Sequence, residues 1–184
     1  TLMLALSCQL YYAPGTHAEI DALVAEGMAM ARRLDDPALL QWAARTASLA
    51  IWRSDRLDER QMLAAEEVTA ARRHGDELGA AIGLVTMATN AIELGERAAY
   101  EEHSRRAGAI ARRRRLYFAE FVLDFMDLNL AAMRGDADDV AGLSGRMREI
   151  HSGATLLASE FVEFGINYSV GLWDPDVADG LAGL

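Results

Sequence analysis

The tripeptide Ala-Arg-Arg stands at residues 31–33, 71–73 and 111–113, so one phrase returns every 40 residues. A chain written this way is constrained to fold as a tandem repeat, because each copy of a pattern repeats the same local preferences and the same buried face. Around the first two copies the match widens to Leu23/Leu63, Ala25/Ala65, Glu26/Glu66, Ala31/Ala71 and Asp36/Asp76. The period recurs at a second phase in the turn residues Gly15, Asp55, Gly95, Gly135 and Pro175. Two punctuation marks per unit imply two elements per unit.

The elements read as helices. Asp36-Pro37 is a restart in which Asp caps free amides and Pro takes a first-turn position that has no amide partner to lose. Thr16-x-x-Glu19 has the form of a capping box. Between such marks, Ile20, Leu23, Val24, Gly27, Met28 and Ala31 fall on one face of a 3.6-residue period. The helices expected are the remainder of a first one before Pro14-Gly15, then 16–34, 37–53, 56–74, 77–94, 97–114, 116–134, 137–151 and 155–172, with another opening at Asp174-Pro175. Units fall at about 1–35, 36–75, 76–115, 116–153 and 154–184, within a single repeat domain covering 1–184. No strand alternation competes, and the joints have the length of those between antiparallel helices.

Composition narrows the function classes. The formal charge is −10, and all 18 cations are Arg, which disfavours a general nucleic-acid surface. One cysteine, Cys8, leaves no partner for an internal disulfide. No apolar run approaches the ~20 residues of a membrane span, and Thr1 to Ala13 lacks the leader and cleavage site of a signal peptide. A cytoplasmic protein with no membrane contact is expected. Thr1 aligns with Gln41, four residues inside the element that begins at Pro37, so the chain is expected to be a slice of a longer protein.

A helix pair cannot bury its apolar faces alone, so copies stack. Ala31, Ala71 and Ala111 at one repeat position, and Ala43 and Gly83 at another, are the small residues that close helix crossings need. The chain resembles tetratricopeptide-type helical repeats, with about 40 residues per unit and fragments only of the short family's Trp…Leu-Gly…Tyr pattern. Ala-Arg-Arg-Leu-Asp-Asp-Pro-Ala-Leu-Leu at 31–40, echoed at 71–78, is more specifically similar to the repeat regions of large bacterial signal-transduction ATPases, regulators of the LuxR and antibiotic-regulatory-protein types. The resemblance implies an all-α fold of antiparallel hairpins in a right-handed superhelical solenoid. It also implies a non-catalytic sensing or docking arm of a transcriptional regulator, whose ATPase and DNA-binding domains lie outside this chain.

In that family's geometry the first helix of each pair lines a concave groove. The groove expected here runs from Leu40, Ala44 and Ala47 through Ala80, Leu84 and Met87 to Glu120, Asp124 and Asp127, then Glu160, Phe164 and Asn167. Its occupant would be a protein, a peptide or a small effector; the bland alternative for the carboxylates is a solvated face or pairing with Arg of a neighbouring helix. An enzyme built on stacked helices would have Glu120, Asp124 and Glu160 as its acid/base groups, and self-association as a homodimer through end repeats is a third class.

No catalytic residue, metal site or cofactor is assigned. None of His17, His74, His103 and His151 stands at i+3 or i+4 to another ligand. Gly142-Leu143-Ser144-Gly145 lacks the strand-turn-helix setting of a nucleophile elbow. The arginines Arg112 to Arg115 fit a helix C-terminus, whose dipole favours cations. Tyr117, Phe118, Phe121 and Phe125 are expected in the core.

Overall fold

The structure, a computed structural model, describes residues 2–151 and Ile166. Among the described residues there are eight α-helices and no strand. They are α1 (Leu2–Leu10), α2 (His17–Leu34), α3 (Pro37–Ala50), α4 (Leu57–Arg73), α5 (Glu77–Glu93), α6 (Arg97–Arg114), α7 (Tyr117–Arg134) and α8 (Ala137–His151). A 3-10 turn, Ser54–Arg56, precedes α4. The helices expected at 155–172 and from Asp174 fall outside the described residues.

Helix starts keep the period: His17, Leu57, Arg97 and Ala137 are 40 apart, as are Pro37, Glu77 and Tyr117. The helix ends explain why Ala-Arg-Arg recurs. Gly75, Gly95, Arg115 and Gly135 all take positive φ, and the amide of the residue after each bonds back to an alanine carbonyl five residues earlier, that of Ala71, Ala91, Ala111 or Ala131, at 2.8–3.1 Å. This is the Schellman closure, which satisfies carbonyls that a helix end would otherwise orphan. Each accepting alanine is fully buried, where a larger side chain would overfill the space. In the Ala-Arg-Arg copies the two arginines that follow occupy the exposed last turn, where cations suit the helix dipole. From residue 75 to residue 135 the two punctuation marks of the sequence are therefore one device, used every 20 residues.

Two joints depart from expectation. Thr16 does not cap α2: its hydroxyl donates backwards to the carbonyls of Leu10 and Ala13, both at 2.8 Å, which ties α1 to the turn instead. At Asp55 the left-handed turn is replaced by the 3-10 turn, because Arg53 and Arg56 flank it and both reach Asp21 on α2. The Asp caps hold. Asp36 accepts from the amides of Ala38 and Leu39, Asp76 from Gly79, and Asp136 from Asp139.

The chain divides into two compact units, Thr1–Ile110 and Ala111–Leu184. In the first, α1 packs on α2 and α3, α2 on α3, α3 on α4 and α4 on α5. Its core is built from Leu4, Ile20, Val24, Met28, Ile51 and Leu63 with alanines of α3 between them. Crossings are tight: a Cβ on Gly83 would stand 2.7 Å from Val68 Cγ2, and one on Gly27 would stand 2.7 Å from Leu4 Cγ. In the second unit α7 packs on α8 around Phe121, Leu128, Met147 and Ile166. The aromatic group is only partly core. Phe121 is buried and Phe125 half-buried, their rings stacked at 6.2 Å, whereas Tyr117 and Phe118 in the first turn of α7 are exposed.

Candidate functional site

Leu84 corrects the groove expected from sequence. It is completely buried, as are Ala44 and Ala47, and Leu40 and Ala80 are nearly so. The stripe 40/44/47 and 80/84/87 is thus core in the first unit, and only half-buried Met87 retains surface. The physical reason lies in the small residues, which mark where helices cross and not where a ligand fits. In the second unit Glu120, Asp124 and Asp127 are half-buried on α7, and Asp124 forms an ion pair with Arg146 of α8. Pairing across the hairpin therefore accounts for the Asp124 carboxylate. Glu160, Phe164 and Asn167 fall outside the described residues.

In the first unit the outward face of α3 and α5 lies two residues further on. At one register stand Leu2, Trp42 and Ile82; at the next Leu6, Thr46 and Thr86; at the third Gln9, Leu49 and Thr89. Leu2 is 86% exposed, Leu49 53% and Trp42 37%, and Leu78, one turn before Ile82, is 50% exposed. Charge is sorted by helix class. Together α1, α3 and α5 carry three charged side chains, Arg45, Glu77 and Glu93, against twelve on α2 and α4. Arg45 is held by Glu67 at 2.7 Å, and Glu93 by Arg60 at 2.8 Å. In a chain where a quarter of the residues are charged, this leaves a face poor in charge, with exposed Leu and Trp beside Thr and Gln.

Beneath the face lies a polar layer that sequence reasoning missed. Arg60 is 0% exposed. Its guanidinium lies 3.8 Å from the centroid of the Trp52 ring, grips both Glu93 oxygens at 2.8 and 2.9 Å, and donates to Asn90 Oδ1 at 2.7 Å. Asn90, also buried, donates to Gln61 at 3.2 Å. The signal was available, since the repeat places Arg60 in register with Ile20 and Tyr100, both buried. A cation in a core register has to bring its partners with it.

Glu67, 1% exposed, is pushed above the usual carboxylate range by burial, against the opposing pull of Arg45. Asp76 is held below its usual range: burial works against this, but the amide of Gly79 and the Gln41 side chain outweigh it. The Cys8 thiol donates to the Thr46 carbonyl at 3.3 Å and is pushed up by burial. His103 is lowered by burial and then by Arg106. Among the described residues no group of three or more His, Cys, Asp or Glu could hold a metal ion, and no helix is long and apolar enough to cross a membrane. Ser144 lies inside α8 and is buried.

Comparison with protein-family models, characterised proteins and solved structures finds no match.

Proposed function

We propose that the chain is a non-catalytic interaction domain, a tetratricopeptide-type repeat of antiparallel helix hairpins stacked in a right-handed superhelix. In this reading it is the sensing or docking arm of a bacterial transcriptional regulator and takes a protein, peptide or small effector. The observation that carries the reading is the segregation of charge, which leaves α1, α3 and α5 with a face of exposed Leu and Trp and no unengaged cation. The 40-residue recurrence of helix starts supports the repeat architecture, since stacked copies need the same joint each time. Ion pairing of Asp124 weighs against a catalytic carboxylate there.

The test is affinity capture from bacterial lysate on the immobilised chain, with mass spectrometry of bound proteins and metabolites. A partner enriched reproducibly over an unrelated helical protein is the expected result. A column that retains neither proteins nor metabolites would replace the proposal with a passive spacer.

A further inference from the structure

Arg115 holds a left-handed backbone, φ +56°, at a joint whose counterparts at 75, 95 and 135 all use glycine. Asp35, which shares this conformation, is of the short polar type that tolerates it, whereas an arginine there is strained. Backbone strain kept where glycine would relieve it points to a use for the side chain. The helix dipole does not require Arg115: the last turn of α6 already carries Arg112, Arg113 and Arg114, against two arginines at the ends of α2 and α4.

The surroundings of Arg115 are those of a site for an anion that carries a ring. Its amide bonds back to the Arg112 carbonyl at 3.4 Å, so both side chains leave from one turn of the chain. Arg113 and Arg114 are engaged within the chain. Arg112 and Arg115 are exposed, and their side chains have no hydrogen-bond or ion-pair partner among the described residues. Directly after them Tyr117 is 39% and Phe118 58% exposed. The repeat does not call for rings there, since Pro37-Ala38 and Glu77-Leu78 fill the same register of α3 and α5. Guanidinium N–H groups fork onto a phosphate dianion, and aromatic rings stack on a planar base. We propose that the joint between α6 and α7 binds a nucleotide-class ligand, its phosphate held by Arg112 and Arg115 and its base laid on Tyr117 or Phe118.

Charge limits the size of the occupant. Outside Arg112 to Arg115 the chain sets 14 arginines against 28 carboxylates, a balance of −14. A long polyanion or an anionic bilayer extends past the joint and meets that like charge; a single nucleotide does not. A run of acidic side chains would satisfy the arginines and leave both rings in water.

The experiment is calorimetric titration of the full 184-residue chain with adenosine monophosphate, ribose 5-phosphate and adenosine as separate probes. The nucleotide is expected to bind at least tenfold tighter than either half, with an affinity that falls as salt rises. Arg115→Gly restores the glycine closure, so it is expected to keep or raise the melting temperature while weakening both phosphate-bearing probes tenfold or more. Tyr117→Ala with Phe118→Ala is expected to weaken the nucleotide about tenfold and to leave ribose 5-phosphate unchanged. Arg33→Ala, which removes an exposed cation from the end of α2, is expected to alter neither.

No saturable nucleotide binding, unchanged affinity in Arg115→Gly, an equal loss in Arg33→Ala, or adenosine bound as tightly as the nucleotide overturns the proposal. So does a single-stranded oligonucleotide that binds more tightly per nucleotide than the monophosphate, because the patch then serves nucleic acid. Displacement of the nucleotide by tetraglutamate at equal concentration overturns it as well, and assigns the patch to an acidic protein segment.

Discussion

Replacing Arg60 with alanine tests whether the buried polar layer is a unit. The substitution removes a guanidinium that lies over Trp52, grips Glu93 and supplies the hydrogen bond to the buried Asn90 oxygen. Loss of a desolvated cation–π contact is worth about 2 kcal/mol. Stranding a buried acceptor adds about 1–3 kcal/mol. Glu93 is one-third exposed and can turn to water, so its unpairing adds little. The expected cost is about 4 kcal/mol, within the range for breaking a buried pair. Arg60→Ile, which copies the Ile20 register, should recover part of this by filling the space, and Arg60→Ile with Asn90→Leu should recover more, because no polar group is then stranded. The assay is urea unfolding followed by tryptophan fluorescence in a Trp173→Phe background, so that only Trp42 and Trp52 of the first unit report. A cost under 1 kcal/mol for Arg60→Ala, or additive effects of the two substitutions in the double variant, would refute the reasoning.

Further outcomes follow from single sites. Ala71→Leu overfills the buried position that closes α4 and should cost about 1–3 kcal/mol; Gly83→Ala, whose Cβ meets Val68 and Glu67, should cost a similar amount, both read from urea midpoints. Arg115→Gly should raise stability by up to about 1 kcal/mol, since Arg115 holds φ +56° where the other closures of its type use glycine; calorimetry showing a loss would mean the arginine side chain is needed there. The lowered Asp76 carboxyl contributes stability that is complete above its unfolded value of about 4 and is lost as pH falls through its lower folded value. Asp76→Asn should therefore be destabilised at neutral pH, and its deficit should shrink on acidification below pH 4; a constant deficit would assign the effect to hydrogen bonding alone.

Helix positions were legible because each boundary carries its own chemistry: Asp caps at 36, 76 and 136, glycines at 75, 95 and 135, and Ala two or three residues before the last helical residue. Asp55 shares the turn register, and there the period misleads. What decides that joint is Asp21, 32 residues before Arg53, which draws two arginines to itself. The face of the first helices was misread by two residues, because Ala44, Ala47 and Leu84 have the size and spacing of a groove lining as well as of a core. Burial separates those cases, and periodicity alone does not. Arg60 stood out only against Ile20 and Tyr100, so an apolar register broken by a cation is a signal that repeats make readable.

The shared joints and the ion pairs encode different things. Asp35 and Gly75 both lie in the left-handed region and both lead into a capping Asp, so a recombination that excised 36–75 would rejoin the chain with its backbone geometry preserved. Charge would not survive the splice. Arg32 now pairs with Glu66, and the shortened chain would bring Arg106, the next residue in that register, opposite Arg32 instead. The joint at the splice is thus interchangeable as a shape, whereas the pair Arg32–Glu66 is specific to its neighbours. A chain built from repeated hairpins risks docking a hairpin on the wrong copy as it folds, and an ion pair such as Arg32–Glu66, which the next copy cannot form, disfavours that error.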